Sequence, residues 1–134
     1  MAGLNNRKAN SDIPDQSDES PDERKESPDG ESVPSQDDRL AHFIRMLSDD
    51  DEVSRWKAAE ALGRMEDPAA VDDLISTLWD DDARVRLKAA WALGRIGDQR
   101  ADMPLRRLYR REGEAAQEII QEALETIRRG MSHT

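Results

Sequence analysis

A thirteen-residue string occurs twice in this chain, at residues 55–67 and again 31 residues later at 86–98, with nine identical positions. The shared pattern is R-x-K-A-A-x-A-L-G-R-x-x-D. A fixed period of this length marks units that cannot bury their apolar face alone and that stack on neighbouring copies to build a continuous core. The duplication therefore predicts an array of stacked repeats, in which function lies along a surface and not in a pocket.

Signals for helix starts and stops surround the two copies. Asp67-Pro68 and the run Asp80 to Asp82 are typical starts, because aspartate accepts hydrogen bonds from free backbone N–H groups and proline is tolerated in the first turn. Gly97-Asp98 supplies a stop and the next start. Apolar spacing of three and four, with no alternation of period two, indicates helices throughout. The sequence predicts six helices, near residues 38–47, 51–65, 68–78, 82–96, 100–111 and 114–129.

Small residues recur at the same positions of both copies, and partial copies extend the array on each side. The alanines and glycines indicate that one helix approaches its neighbours closely while leucines fill the remaining space. A larger side chain there, for example in Ala92→Leu, is expected to overpack the contact at a cost of about 1–3 kcal/mol.

The segment from Val85 to Asp98, V-R-L-K-A-A-W-A-L-G-R-I-G-D, resembles the HEAT repeat, in particular its short phycobilisome-lyase-like version. The resemblance covers about residues 37–129. It implies an all-α fold, an alpha-alpha superhelix built as a short solenoid of about three helix pairs, which binds other proteins on its concave side.

The first 36 residues differ in composition from the rest. They hold four prolines, six serines, nine acidic and four basic residues, and so few large apolar side chains that burial cannot offset the entropy of ordering. We therefore predict a disordered acidic tail at residues 1–36, a repeat domain at 37–129 and a C-terminal tail at 130–134. The first tail is also a candidate functional segment, as an anion mimic or as a switch phosphorylated at Ser20, Ser27 or Ser32.

Charge and composition exclude several classes of function. A net charge of −10 repels phosphate backbones and anionic lipid, so neither nucleic acid nor a membrane surface is expected as a partner. There is no cysteine and no apolar run near the ~18 residues that a membrane span needs. We expect a cytoplasmic protein, a monomer or a weak homo-oligomer that associates end to end.

Catalytic patterns are not found. His42 and His133 are the only histidines and lie in separate regions, and no phosphate-cradling glycine loop, nucleophile elbow or calcium loop appears. We predict no catalytic residue, no metal site and no cofactor, and hence a non-catalytic interaction module acting as scaffold or adaptor. The resemblance leaves one alternative, an accessory subunit of a bilin lyase or of another cofactor-handling complex.

Positions opposite the packed side of the second helices form one stripe per copy. In repeats of this kind the second helix of each pair lines the concave side, so the resemblance places the stripes side by side in one groove. Aromatic side chains dominate interface energetics, and we expect an apolar centre formed by both tryptophans. The predicted partner-binding residues are Trp56, Lys57, Glu60, Arg64, Arg84, Leu87, Lys88, Trp91, Arg95, Ile119 and Glu122.

The cations at the rim of this groove predict a partner segment that carries apolar residues with acidic neighbours. Two alternatives stay open at this point. The tryptophans can instead lie on adjacent repeats and complete a thin core, and the charges can form a solvated face.

A second candidate surface is basic. Arginines at positions 106, 107, 110 and 111 cluster with Arg100 on the fifth predicted helix, where they can bind an acidic partner or a phosphate. The alternative is that these side chains pair with acids of the third and last helices or with the acidic tail. The members of this secondary cluster are Arg106, Arg107, Arg110 and Arg111.

Overall fold

A computed structural model of the chain describes residues 33–131. The chain divides into two units, Met1–Ser35 and Gln36–Thr134, and every helix given below belongs to the second. The tails predicted at 1–36 and 130–134 therefore lie mostly outside the described residues. The first helix begins at Gln36 and the last continues to Met131, so each extends slightly into a predicted tail.

The described residues form six α-helices and no strand, which confirms the predicted fold class. Two of the helices are preceded by a single 3-10 turn, at Pro68–Ala70 and Gln99–Ala101. None of the helices between residues 33 and 131 is both long and apolar enough to cross a bilayer. The helices are α1 Gln36–Met46, α2 Glu52–Met65, α3 Val71–Thr77, α4 Ala83–Ile96, α5 Asp102–Arg111 and α6 Glu114–Met131.

Aspartates begin these helices with the period of the sequence repeat. Asp51 accepts a hydrogen bond from the backbone of Ser54, and 31 residues later Asp82 accepts from Arg84 and Val85. Asp67 and Asp98 cap the two 3-10 turns in the same way. Each carboxylate satisfies N–H groups that have no partner inside the helix, so the same cap directs the chain into the same turn in each copy.

The helices are arranged in two layers. Helices α2, α4 and α6 pack on one another in succession, with α4 between its neighbours. Helices α1, α3 and α5 each pack on the second helix of their own pair. Between the layers lie fully buried leucines from several helices, including Leu62, Leu74, Leu93 and Leu105. This is the stacking of helix pairs that the repeat predicted.

Two glycine–alanine contacts set the distance between successive copies. A Cβ atom placed on Gly63 would lie 2.9 Å from Cα of Ala92, and one placed on Gly94 would lie 2.8 Å from Cα of Ala123. Real Cβ atoms do not approach so closely, so only glycine lets these helix backbones meet. The third copy has Glu125 at the corresponding position, so this contact is not repeated beyond α6.

Arginines link each copy to the next. Arg55 donates to both carboxylate oxygens of Asp80, at 2.8 and 3.1 Å, and to the carbonyl oxygens of Asp49 and Asp50. Arg86, 31 residues later, binds Glu112 at 2.8 Å and the carbonyls of Asp80 and Asp81. These charge-assisted bonds fix the loops that join the helices.

Adding one methyl group at the contact between Gly94 and Ala123 should destabilise the stack of helices. Gly94→Ala places a Cβ 2.7 Å from that of Ala123, and we expect a loss of about 1–3 kcal/mol in the free energy of unfolding, measured by urea denaturation. Gly130→Ala is the matched control, because nothing lies within 4 Å of its added Cβ and alanine favours a helix. Equal stability of Gly94→Ala and the control would contradict the close contact.

Acid should weaken the fold through the capping aspartates. A hydrogen bond from Arg84 lowers the pKa of Asp82, and one from Arg100 lowers the pKa of Asp98, both from an ordinary value of 3.8. A carboxyl with a lowered folded-state pKa contributes stability that is present above its unfolded pKa and lost as the pH falls through the folded value.

We therefore expect the urea midpoint to fall between about pH 5 and about pH 2.5. The Asp98→Asn variant keeps an acceptor at the cap but cannot titrate, so its midpoint should fall less over the same range. An identical fall in both proteins would show that Asp98 does not contribute to acid sensitivity.

Candidate protein-binding groove

Side chains from three helices meet around one open cavity of about 350 Å³. Its apolar lining consists of Trp56 from α2, Leu87 and Trp91 from α4, and Ile119 from α6, and we refer to the surface that these four form as the apolar groove. Arg84, Lys88 and Glu122 complete the lining. All seven are among the residues that the sequence placed in the partner-binding set.

Repeat geometry brings these residues together. Trp56 and Leu87 occupy the same position in successive copies, 31 residues apart, so stacking in register puts them on one surface. Both are partly exposed, as is Ile119, and none of the three belongs to the buried cluster that forms the core. An apolar side chain that is left out of the core and lies beside others of its kind is typical of an interaction surface.

Trp91 belongs to the core and to the groove at once. The ring is partly buried and packs on the core cluster, and its Cζ3 atom lies 2.6 Å from where a Cβ on Gly63 would stand. The remainder of the ring lines the cavity. Neither indole is sealed between helices: Trp91 packs on the core, as the first alternative has it, and also lines the groove.

Trp56, unlike Trp91, does not pack against the core cluster. The Nε1 atom of its indole is buried and has no hydrogen-bond partner, although part of the side chain stays exposed. An unmade hydrogen bond at a buried donor costs about 1–3 kcal/mol. The fold therefore gains less from Trp56 than from an indole with a satisfied nitrogen, which leaves its contribution to stability small for its size.

A lysine lies between the two indoles. The Nζ atom of Lys88 is 5.6 Å from the ring centroid of Trp56 and 5.2 Å from that of Trp91, and it lies 3.7 Å from a carboxylate oxygen of Glu60. Cation–π attraction over two rings orients the ammonium group. The lysine thus places a positive charge next to both rings in the lining of the groove.

Two further arginines of the predicted partner-binding set pair within the chain. Arg64 binds Glu60 at 2.9 Å, and Arg95 binds Glu66 at 2.7 Å. Arg95 also lies over the ring of Trp91, at 5.6 Å. Lys57 is exposed and has no ion pair among residues 33–131. Exposed pairs of this kind contribute about 0–1 kcal/mol each, so a partner can displace them at little cost.

A second cavity of about 330 Å³ continues the groove along α4 and α6. It shares Trp91, Ile119 and Glu122 with the first cavity. The helical stripes predicted groove residues along α4 and α6. They did not predict Arg129, which also lines the second cavity, or the ion pair of Glu66 with Arg95. Glu66 occupies the position that Gly97 has in the next copy, just after the predicted helix at 51–65, and the repeat pattern does not indicate a pairing there.

The secondary basic cluster on α5 is exposed but not uniform. Arg106 binds Asp102 on its own helix at 2.9 Å, and Arg111 lies over the ring of Trp79 at 5.6 Å. Arg107 and Arg110 have no ion pair within the described part of the chain. Arg100 pairs with Asp72 in the first turn of α3 and with Asp98. Pairing with the last helix does not occur among the described residues.

The stacked helix pairs and the surface along their second helices define an alpha-solenoid repeat protein. The sequence model for HEAT repeats matches residues 40–126, more than half of the chain. The chain belongs to the HEAT-repeat family. No curated protein matches it. Among residues 33–131, no three His, Asp or Glu side chains are grouped so as to hold a metal ion.

The two groove tryptophans should differ in their effect on stability. Trp91→Ala removes a ring that packs on the Gly63 seam, and we expect a loss of about 2–3 kcal/mol in the free energy of unfolding. Trp56→Ala removes a ring with an unsatisfied nitrogen, so the loss should be under about 1 kcal/mol. Urea denaturation of both variants measures the difference. A larger loss for Trp56→Ala would reverse our assignment of the two rings.

Proposed function

We propose that this protein is a non-catalytic interaction module, a scaffold or adaptor that binds a segment of another protein in the apolar groove. The observation that carries the proposal is the convergence of Trp56, Leu87, Trp91 and Ile119 from three helices on one open cavity. Membership of the HEAT-repeat family supports it, because proteins of this architecture present extended surfaces to protein partners.

The groove has the features expected of an interface centre. Tryptophan supplies a large contact area at a low cost in side-chain entropy, and interface hot spots are enriched in this residue. Partly exposed apolar side chains gain burial when a partner covers them. The surrounding charged side chains form the polar rim that interfaces have around an apolar centre.

The proposed partner segment carries apolar side chains with acidic neighbours. Three cations of α4 border the groove, Arg84, Lys88 and Arg95, and Lys57 adds a further one from α2 without an ion pair among the described residues. Acidic side chains of a partner pair with these groups at the rim, where such pairs guide association more than they add affinity.

The test removes groove side chains that the core does not need. Trp56→Ala and Leu87→Ala each truncate a partly exposed residue outside the core cluster. Trp79→Ala is the matched control, because Trp79 is 41% exposed but does not line the groove. The wild type and the three variants are tagged and used to recover partners from native lysate. The recovered proteins are quantified by mass spectrometry.

We expect the same partner to bind the wild type and Trp79→Ala and to be lost from both groove variants. A hot-spot tryptophan contributes about 2 kcal/mol or more, which weakens binding about 30-fold. Circular dichroism checks that the variants stay folded. Full recovery of every partner by both groove variants would refute binding at this groove.

The assignment to the phycobilisome-lyase-like group of repeats, and with it a role as accessory subunit of a bilin lyase, remains an alternative proposal. It rests on the resemblance of residues 85–98 alone. Its test is spectroscopic: such a subunit gives a coloured adduct or speeds bilin transfer to an acceptor protein. A colourless preparation without effect on transfer would remove this alternative.

A further inference from the structure

Two adjacent helices bring charges of opposite sign to the groove. Arg84 and Lys88 reach the cavity from α4, whereas Glu122 reaches it from α6. Neither cation forms an ion pair with Glu122: Arg84 binds Asp82 at 3.3 Å, and Lys88 binds Glu60 at 3.7 Å. The cavity is therefore lined by unlike charges that do not pair with each other.

Two carboxylates on α6, Glu118 and Glu122, form no ion pair within the described part of the chain. Glu118 and Glu122 lie one turn apart on the same side of α6, on either side of Ile119 in the sequence. Both are exposed. On α4, by contrast, Arg84, Lys88 and Arg95 each have a carboxylate partner from the chain itself.

This asymmetry determines which charge of a partner gains most. An acidic side chain that approaches α4 has to compete with carboxylates already in place, so it gains only part of an exposed ion pair. A basic side chain that approaches Glu118 and Glu122 displaces nothing. Placed beside a desolvated apolar contact, it also avoids the repulsion that an acidic side chain would meet there.

We propose that the groove binds an amphipathic segment in one fixed orientation. The apolar side chains of this segment contact Trp56, Leu87, Trp91 and Ile119. A lysine or arginine next to them faces Glu118 and Glu122 on α6, and acidic side chains lie toward α4. The inference rests on the proposed function, since it assigns the charge order and direction of the segment that the groove binds.

The experiment selects ligands without knowledge of the natural partner. A phage library of random peptides is selected on the full-length protein, on the double variant Glu118→Gln/Glu122→Gln and on Leu87→Ala. Enriched peptides are synthesised, and their affinities are measured by fluorescence polarisation. Glu114→Gln is the matched control, because it removes one carboxylate from the same helix two turns before Glu122, the glutamate that lines both cavities.

We expect peptides selected on the wild type to combine apolar residues with a lysine or arginine three or four positions away. They should bind the double variant about two- to five-fold more weakly and bind Glu114→Gln unchanged. Peptides that depend on Leu87 but show no preference for basic residues, and that bind the double variant as well as the wild type, would overturn this inference and leave the proposed function standing. The absence of any Leu87-dependent peptide would instead count against the proposed function itself.

Charge reversal gives a second measurement. Replacing the basic residue of a selected peptide by glutamate should weaken binding to the wild type, and Glu122→Lys should restore binding of the altered peptide. Restoration requires the two positions to face each other. A general effect of net charge does not require this. An altered peptide that binds Glu122→Lys no better than the wild type would place the basic residue elsewhere and reject the proposed orientation.

Discussion

The close approach of helix backbones at Gly63 and Gly94 is the constraint on which the rest of this structure depends. Each glycine contacts an alanine of the next copy, and the space between the two helix backbones is too small for a side chain on the glycine. This sets the spacing of α2, α4 and α6, and because the contact recurs with the period of the sequence, equivalent residues of each helix stand in register. The groove is a consequence, since Trp56, Leu87 and Ile119 lie on one surface only if the helices stack without a shift.

Much of this arrangement could be predicted from the sequence because it depends on local signals that the repeat duplicates. The capping aspartates, the small seam residues and the apolar spacing located all six helices to within a few residues, and the helical stripes identified every residue that lines the first cavity. Ion pairs were harder to predict, because they depend on side-chain reach across copies. Arg95 reaches Glu66 from 29 positions away, and nothing in the pattern indicates that pairing.

The groove is built from departures from the repeat, whereas the core is built from its identities. Trp91 stands where the other copies have Glu60 and Glu122, and it fills the space above Gly63 that a smaller side chain would leave open. The same ring therefore packs on the core and lines the apolar groove. Trp56, with its unsatisfied nitrogen, contributes to the surface with less benefit to the core.

The third copy also differs from the first two at the positions that link one copy to the next. Glu125 takes the place of the seam glycine, and Gln117 takes the place of the arginine that would reach a following copy; its side chain donates instead to the carbonyl of Tyr109. A helix pair added after α6 would meet neither a glycine at the contact position nor an arginine that could bind it. Lengthening such a protein by gene duplication would have to proceed by insertion between existing units, where each junction keeps both features and each added unit widens the row of groove positions by one.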